Sequence, residues 1–440
     1  MSADTAPVTL TGWGRTAPTA ARLIRPRTYE EAVAAVRGCG VRGSIPRGLG
    51  RAYGDAAQNA GGVVLDMTGL DRIHAIDAVG GTVLCDAGVS LHRLIEVLLP
   101  LGWFVPVLPG TRHVTVGGAI GADVHGRNHH VSGSFSRHVL SLELLTADGG
   151  IRTVGRGTPL FDATTGGMGL TGVILTATLR LLPVETSLMA VDTERAADLD
   201  DLLARLTATD HRHRYSVARI DLAAPGAATG RAVLTRADHA PLDALPARAR
   251  GAPLAFGTPR FPPAPAMGLY NELRYRTAPR ARTRRLQRIS AFFHPLDGVP
   301  HWNRVYGRGG LVRYQFAVGH GQEDALRRIV RRIAEQRRPF FPAVLKRLGE
   351  AAPGWLSFPV PGWTLAVGLP AGLPRLGAFL DELDEEVATA GGRVHLAKDS
   401  RLRPELLSAM YPRLDDLRAL RAELDPRGVF TSDLSRRLAL

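Results

Sequence analysis

One glycine-rich stretch, PGTRHVTVGGAIGADVHG from Pro109 to Gly126, constrains this chain more than any other segment. Val114 to Val116 has an extended pattern, and Gly117 and Gly118 permit close approach of the backbone to another group. The small apolar residues that follow indicate the start of a buried helix, where free backbone N–H groups form an anion site. A diphosphate is the natural occupant of such a site. A tight glycine turn packed between two elements is the alternative for this stretch taken alone.

A second glycine-dense loop, RGLGRAYGD, runs from Arg47 to Asp55 and precedes the predicted strand Val63 to Met67. Two such loops in one domain favour a ligand with an extended polar middle, such as a dinucleotide. Neither loop has the glycine spacing between strand and helix of the Rossmann fingerprint. Neither contains the G-K-[ST] of a Walker loop. The two loops therefore predict a dinucleotide site outside both of those folds.

These loops, together with GGMGLTGVI at Gly166 to Ile174, resemble the FAD-binding domain of the vanillyl-alcohol-oxidase (PCMH) type. Within that family the chain is similar to the actinobacterial enzymes that oxidise decaprenylphosphoryl ribose. The resemblance covers nearly the whole chain, because further motifs match at HPLDGVPHWNRVYG (294–307), RYQF (313–316), FPVPGW (358–363), AKDSR (397–401) and DPRGVFTSDLSRRL (425–438).

The resemblance implies an α+β fold, with an FAD-binding domain of two subdomains and an α+β substrate domain built on an antiparallel sheet. We expect the FAD-binding domain at residues 1–190, split near residue 100, and the substrate domain at 191–394. A C-terminal segment, 395–440, is expected to return to the FAD-binding domain. Within the substrate domain, leucines on one face predict a helix from Glu194 to Leu206, and the Pro- and Ala-rich residues 241–265 predict a mobile connection.

The family match implies that FAD is held by the two loops and by residues that follow them. The expected cofactor-binding residues are Arg47, Gly48, Leu49, Gly50, Arg51, Ala52, Tyr53, Gly54, Asp55, Gly110, Thr111, Thr115, Val116, Gly117, Gly118, Ala122, Asp123, His125, Gly172, Val173 and His395. Arg51 stands where related domains carry a histidine that bonds covalently to the flavin. Because arginine cannot make that bond, noncovalent FAD is expected. His125 is a second position at which attachment is chemically open, although in similar sugar oxidases it faces the flavin without a bond.

Five residues match catalytic or pocket positions of the family. Lys398, in AKDSR, matches the cation that stabilises the reduced flavin and the alkoxide from which hydride departs. The others are His125, Gln315, Tyr306 and Lys346. A solvated lysine at 398 and a hydrogen-bonded loop histidine at 125 are the alternative interpretations. No metal site is expected: His125, His129 and His130 lack a Cys or Glu to complete a ligand set.

The chain departs from the family pattern in and near the expected substrate pocket, while the flavin loops are intact. Arg127 replaces a lysine and Arg313 replaces a glutamine, and two further guanidinium groups suit a phosphate or another anion. Thr364 and Ala366 stand where Asn and Cys are usual, and Leu348 replaces an aromatic residue. The resemblance therefore indicates FAD more directly than it indicates the sugar.

The function that the resemblance implies is oxidation of a sugar secondary alcohol with hydride transfer to flavin N5. The expected reaction converts the 2-hydroxyl of polyprenylphosphoryl-β-D-ribose to the 2-keto sugar, the first half of an epimerisation to arabinose for cell-wall arabinan. An NAD-dependent reductase is then the partner that completes the epimerisation. Two alternatives stay open at this point: a paralogous oxidase of a soluble sugar, alditol or aldonolactone, and a flavin-free binding protein that keeps the fold.

The net charge of +14 fits nucleic acid, an anionic membrane surface or an anionic substrate, although a GC-rich genome also raises the arginine content. No nucleic-acid-binding motif accompanies the charge, so no nucleic-acid partner is expected. The densest basic cluster is expected to dock a lipid phosphate or a membrane surface, with a solvated loop as the alternative. Its members are Arg276, Arg280, Arg282, Arg284, Arg285 and Arg288.

The expected location is cytoplasmic, with at most peripheral contact to a membrane. The N-terminus lacks the basic and apolar regions of a signal peptide, and no apolar run approaches the roughly 18 residues of a membrane span. The two cysteines, Cys39 and Cys85, lie in apolar contexts and do not predict a disulfide framework.

Overall fold

The computed structural model describes residues 6–244, 267–280, 283–299, 301–336 and 341–440. Helices pack on three main β-sheets, which confirms the predicted α+β class. The helices are α1 (Tyr29–Arg37), α2 (Leu91–Leu98), α3 (Val116–Gly121), α4 (His129–Ser132), α5 (Pro159–Thr164), α6 (Leu199–Thr209), α7 (Met267–Thr277), α8 (Ile289–Phe293), α9 (Glu323–Glu335), α10 (Leu376–Thr389), α11 (Leu407–Met410), α12 (Leu414–Leu424) and α13 (Asp433–Leu438).

A four-stranded sheet, in the order β1-β2-β4-β3, carries the first glycine-rich loop. Its strands are β1 (Val8–Leu10), β2 (Thr19–Ile24), β3 (Ser44–Arg47) and β4 (Val63–Asp66). β4 runs parallel to both β2 and β3, whereas β1 is antiparallel to β2. The loop of residues 47–55 therefore leaves the carboxyl end of β3, which is where ligands commonly bind to parallel strands.

An antiparallel five-stranded sheet, in the order β5-β6-β10-β8-β9, follows it in the chain. Its strands are β5 (Ile73–Asp77), β6 (Thr82–Asp86), β8 (Val139–Leu145), β9 (Ile151–Gly155) and β10 (Val173–Arg180), while β7 (Trp103–Phe104) pairs with β11 (Leu182–Pro183) outside it. The changeover between these sheets falls between Asp66 and Ile73, and not near residue 100 where a subdomain split is predicted. The reason is that β6 pairs with β10, which joins elements from both sides of residue 100.

The third sheet is antiparallel, has eight strands and runs in the order β15-β12-β14-β13-β17-β18-β16-β19. Its strands are β12 (Leu188–Ala196), β13 (Tyr215–Ile220), β14 (Ala232–His239), β15 (Thr283–Arg288), β16 (Leu311–Gly319), β17 (Phe341–Leu348), β18 (Gly362–Pro370) and β19 (Arg393–Val394). Apolar residues of α6, α9 and α10 pack in one core with Tyr314, Phe316 and Leu345 of this sheet. Because side chains alternate along a strand, the intervening residues face the other way.

The predicted helix from Glu194 to Leu206 is wrong at its start. Residues up to Ala196 continue β12, and Asp198 caps α6 by accepting a hydrogen bond of 2.8 Å from the N–H of Asp201. Glu194 is held in the sheet because it pairs with Leu234 in register and its carboxylate binds Arg236. The buried leucine face of the helix is confirmed.

Parts of two predicted segments lie outside the described residues, namely positions 245–265 of the proline-rich connection and Arg282 of the basic cluster. No helix within the described ranges is both long and apolar enough to cross a membrane.

The C-terminal part of the chain contacts the first sheet and its loop. The N–H of Ser44 in β3 donates to the carbonyl of Val429 at 2.6 Å, and the N–H of Thr431 donates back to Ser44 at 3.0 Å. The N–H of Tyr53 donates to the carbonyl of Ala397 at 2.8 Å. Domain boundaries at 190 and 394 stay a prediction.

Candidate active site

A cavity of about 670 Å³ lies between the glycine-rich loops and the face of the eight-stranded sheet opposite α6, α9 and α10. The first loop lines it from Arg47 to Tyr53, and the second loop lines it with Gly110, Thr111, Thr115, Gly117 and Gly118. The sheet contributes residues of β13, β16, β17 and β18, and the segment that follows β19 contributes His395 and Lys398. The loops and four of the five predicted catalytic residues, namely His125, Gln315, Lys346 and Lys398, thus share one cavity.

The first loop presents unused backbone donors to this cavity. Within the described part of the chain, the N–H groups of Gly48, Leu49, Gly50 and Arg51 make no hydrogen bond. Gly50 has a φ of +64°, which favours glycine, and a Cβ added at Gly48 would collide with the hydroxyl of Thr115. The loop is therefore a cradle of backbone donors packed closely against Thr115, and such a cradle suits a phosphate group.

The start of α3 does not offer the free donors that the sequence predicts. The N–H of Val116 donates to Val89 at 2.8 Å, that of Gly117 to Ala87 at 2.7 Å, and that of Gly118 to the Thr115 hydroxyl at 3.1 Å. These bonds satisfy the helix start internally, so the alternative of a packed glycine turn describes it better. Gly117 and Gly118 still line the cavity, because their lack of a side chain leaves the wall open.

A hydrogen-bonded chain links four buried or largely buried side chains beside the loops. Lys398 donates through Nζ to the side-chain oxygen of Gln315. The Gln315 amide nitrogen donates to Thr364 Oγ1 at 2.9 Å and to His125 Nε2 at 3.1 Å. The Thr364 hydroxyl in turn donates a hydrogen bond to the carbonyl of Phe316 at 2.8 Å. His125 Nε2 is thereby an acceptor, which leaves the proton of the neutral ring on Nδ1.

His125 and His395 sit in an aromatic stack with Phe358. The Phe358 and His395 rings lie 4.5 Å apart and nearly parallel, and His125 stacks on Phe358 at 5.4 Å. Burial and the nearby Lys346 hold the pKa of His125 well below its usual range, and burial and Lys398 do the same for His395. Nδ1 of each ring is buried without a hydrogen-bond partner in the described structure. A bound polar molecule would supply those partners.

Strand register explains why the sheet residues meet at the cavity. Gln315 lies opposite Ala366, Ala366 opposite Val344, and Val344 opposite Arg219, so these four residues form one row across β16, β18, β17 and β13. Directly opposed residues point to the same face of a sheet. All four line the cavity.

Cationic side chains surround the sheet end of the cavity. Arg127 donates to the carbonyl of Phe293 at 3.3 Å and lies over the Phe292 ring at 4.7 Å. Within the described residues, no ion pair joins Arg127, Arg313 or Lys346 to a carboxylate. Burial, together with Arg127 and Arg313, lowers the pKa of Lys346 to about 7, and burial with Arg313 and Lys346 holds that of Lys398 well below its usual range. This end of the cavity is therefore electrostatically suited to an anion.

Several predicted site residues do not line the cavity and have other contacts. The Asp123 carboxylate binds Ser357 Oγ and the Ser136 N–H, and Asp55 pairs with Arg437. The Tyr306 hydroxyl lies over Gly368, 2.8 Å from where a Cβ would stand. Gly54, Val116 and Val173 are buried in packing positions outside the lining.

The predicted residues Ala122 and Gly172 do line the cavity. Arg51, which stands where related domains carry the flavin-linked histidine, also lines it and stacks over the Trp13 ring at 4.0 Å. Sequence reasoning missed Val217, Arg219 and Val344, although alternation along β13 and β17 was a signal that could have found them. It also missed Trp13, Asp297 and Trp302, although the last two stand in the matched motif of residues 294–307.

The residues present fit a flavin dinucleotide. The donors of the first loop suit its diphosphate, the orphaned ring nitrogens of His125 and His395 suit carbonyl or ring nitrogen atoms, and Lys398 supplies a cation beside them.

Comparisons with known proteins agree with this fit. Residues 20–155 match the model of an FAD binding domain, and residues 371–438 match that of D-arabinono-1,4-lactone oxidase. The chain is 58% identical over 80% of its length to an uncharacterized protein in the mprA 5′ region of Streptomyces coelicolor, all of which is covered. It is 28% identical to the alditol oxidase of a Streptomyces species, over 98% of each chain.

The chain is 44% identical to decaprenylphosphoryl-beta-D-ribose oxidase of Mycolicibacterium smegmatis, over 98% of this chain and 97% of that protein. Identity at this level over whole chains confirms the predicted family and its cofactor, FAD. The chain therefore belongs to the FAD-binding oxidoreductase family that includes decaprenylphosphoryl-beta-D-ribose oxidase, and it is an FAD-dependent oxidoreductase.

Proposed function

We propose that this enzyme oxidises a secondary alcohol of a phosphate-bearing sugar, namely the 2-hydroxyl of polyprenylphosphoryl-β-D-ribose, to the 2-keto sugar. The observation that carries the proposal is the cationic end of the cavity, where Arg127 and Arg313 lie beside Gln315 and Lys346 without a carboxylate partner among the described residues. The 44% identity to an oxidase that acts on a decaprenylphosphoryl ribose supports the same substrate.

In the proposed reaction, FAD, when bound, would supply the acceptor for the hydride of the alcohol carbon, and the first loop, His125, His395 and Lys398 would hold it. Lys346 takes the hydroxyl proton: its Nζ donates to the carbonyl of Gly126 at 3.2 Å, and its pKa of about 7 leaves much of it neutral at neutral pH. Lys398 supplies positive charge on the cofactor side, where Gln315 holds it in place and the negative charge of a bound, reduced flavin would raise its lowered pKa. His125 donates from Nδ1 and orients the bound polar group.

The two arginines hold the anionic group, because their charge persists at every working pH. Arg127 keeps donors available after its bond to Phe293. Arg313 lies two residues before Gln315 on β16 and faces the same side of the sheet. FAD is held without a covalent bond in this proposal, since residue 51 is an arginine and cannot bond to the flavin.

The proposal is tested by anaerobic titration of the holoenzyme with synthetic polyprenylphosphoryl ribose. Loss of the oxidised-flavin absorbance at micromolar substrate is expected. Bleaching by a free alditol or aldonolactone, with none by the lipid-linked ribose, would overturn the substrate assignment in favour of a soluble-sugar oxidase. Acid precipitation of the same sample is expected to release all the yellow colour into the supernatant.

That soluble-sugar oxidase is the second candidate function. Two observations favour it: residues 371–438 match the D-arabinono-1,4-lactone oxidase model, and the alditol oxidase is similar over 98% of its length. In addition, Ala366 on the cavity wall and Thr364, which is hydrogen-bonded to Gln315, stand where the resemblance leads us to expect Cys and Asn.

We also propose contact with an anionic membrane surface through α7 and β15. Leu269 and Leu273 project into solvent with exposures of 73% and 60%, and the exposed Arg276 follows on the same helical stripe. Arg274 of the same helix is close enough to Arg127 to lower its pKa, which places this surface beside the cavity. Exposed Arg284 and Arg285 lie on the neighbouring edge strand. Exposed basic and apolar side chains together suit lipid headgroups.

Sedimentation with vesicles tests the membrane contact. We expect the protein to bind vesicles that contain anionic lipid, and the double variant Leu269→Ser/Leu273→Ser to lose this binding. The control Val79→Ser, at another exposed residue far along the chain, should retain it. Equal sedimentation of all three proteins would contradict it. A separate NAD-dependent reductase that consumes the 2-keto product is proposed as the partner that completes the epimerisation.

A further inference from the structure

The guanidinium group of Arg437, in the short helix α13, joins two carboxylates that belong to different parts of the site. Its Nε and Nη2 bind both oxygens of Asp55 at 3.0 and 2.9 Å. Its Nη2 also lies 2.9 Å from Asp399, and its Nη1 donates to the carbonyl of Leu402 at 2.9 Å. The side chain of Asp399 is 2% exposed and that of Asp55 is 11% exposed, so water screens this cluster little.

Each of the two carboxylates ends a segment that lines the cavity. Asp55 closes the first glycine-rich loop, whose N–H groups form the phosphate cradle. Asp399 follows Lys398 directly, and its Oδ1 accepts the N–H groups of Arg401 and Leu402 at 2.9 Å each, which shapes the turn after the lysine. The backbone of Gly54 presses against the carbonyl of Asp399, so the two segments touch as well.

We propose that Arg437 is a positioning residue of the active site, which fixes the Lys398 turn against the cofactor loop. This inference rests on the role proposed for Lys398. Without the guanidinium, Asp55 and Asp399 would face each other as buried like charges, which favours separation of the two segments. Lys398 would then lose its fixed place relative to the cofactor.

The rest of the C-terminal segment has its own anchors, so loss of Arg437 does not release it. Asp433 accepts the N–H of Ala60 at 2.9 Å, and Asp425 accepts the N–H groups of Val429 and Phe430 at 2.7 Å each. The neighbouring Arg436 pairs with Asp433 on the exposed side of the same helix. Arg436→Met is therefore a matched control for Arg437→Met.

The test measures the midpoint potential of the bound flavin and the dissociation constant of FAD, neither of which needs a sugar substrate. Arg437→Met is expected to weaken FAD binding at least tenfold. It should also weaken the stabilisation of reduced over oxidised flavin about tenfold, a shift of about 30 mV to lower potential for two electrons. Arg437→Lys, which keeps a charge but loses the fork, should recover part of both changes. Arg436→Met should match the unchanged enzyme.

A drop in melting temperature in Arg437→Met, with potential and FAD affinity equal to those of Arg436→Met, would overturn the proposal and leave Arg437 a structural residue. If Arg437→Met does not fold, the same measurements are made on Arg437→Lys and Asp399→Asn. An unchanged flavin potential in both variants would overturn the proposal. Because neither readout involves the sugar, a failed substrate assignment leaves this test intact.

Discussion

The ammonium group of Lys398 binds the side-chain oxygen of Gln315, a residue 83 positions earlier in the chain, and thereby fixes the direction of the Gln315 amide. An ammonium group has no acceptor, so the oxygen has to face it and the nitrogen has to face His125. One contact thus sets both the place of the cation and the tautomer of the histidine.

His125 is expected to be neutral and to carry its proton on Nδ1 in the holoenzyme. ¹⁵N NMR of histidine-labelled protein checks this directly. Gln315→Glu replaces the amide donor by an acceptor, so the proton should move to Nε2 in that variant. A spectrum with the proton on Nε2 in the unchanged protein would contradict the hydrogen-bonded chain.

Lys398→Met should slow reduction of the flavin by substrate about 10²- to 10³-fold, the usual cost of losing one electrostatic donor at a reacting centre. FAD content should change little, because methionine keeps most of the stem volume. Anaerobic stopped-flow absorbance gives the rate, and Lys398→Arg should recover part of it. An unchanged rate in the methionine variant would remove Lys398 from catalysis.

The pH profile of kcat/KM should rise with pH and level off above about 7. Lys346, with its pKa lowered to about 7, must be neutral to accept a proton, and it becomes neutral as the pH rises through that value. In Lys346→Met the rate should fall about 10²-fold or more and this limb should vanish. A limb that persists in the variant would assign the titration to another group.

Arg313→Gln should raise KM for a phosphate-bearing sugar about 10- to 100-fold, which corresponds to one charged hydrogen bond. Turnover at saturation should change much less, since the lost contact is remote from the reacting carbon. Arg331→Gln, an exposed position on α9, is the matched control. An equal rise in KM for an uncharged polyol would show that Arg313 does not act through the phosphate.

Gly48→Ala should weaken FAD binding at least tenfold, because the new methyl group meets the Thr115 hydroxyl and displaces the loop. Thr115→Ala in the same chain should restore part of the affinity by making room. Gly377→Ala on α10, where an added Cβ meets nothing within 4 Å, controls for the substitution itself. Fluorescence titration of the apoprotein with FAD measures all three.

The resemblance to a known family supplied most of the candidate site residues. Lys398, Gln315 and Lys346 were named because each stands in a short string that matches the family, and the structure brings all three to one cavity. The start of α3 was misjudged for a physical reason: whether an N–H is free depends on its partners, and here Ala87 and Val89 lie on a separate segment.

Residues whose meaning depends on distant neighbours could not be predicted. Arg437 and Asp55 are 382 positions apart, and nothing near either one indicates the pair. Arg219 could not be predicted either, because only the register of two intervening strands places it in the same row as Gln315. Glu194 looked helical because local leucine spacing carried more weight than the arginines that hold it in a strand.

The bonds between β3 and the segment around Phe430 have a consequence for how the enzyme is made. The ribosome delivers Ser44 early and Val429 almost four hundred residues later, so the edge of the first sheet waits for the last part of the chain. The cofactor loop that leaves this sheet reaches its final shape only then. Flavin uptake is therefore a late event, reserved for chains whose synthesis has passed this point, and a prematurely terminated product would be colourless.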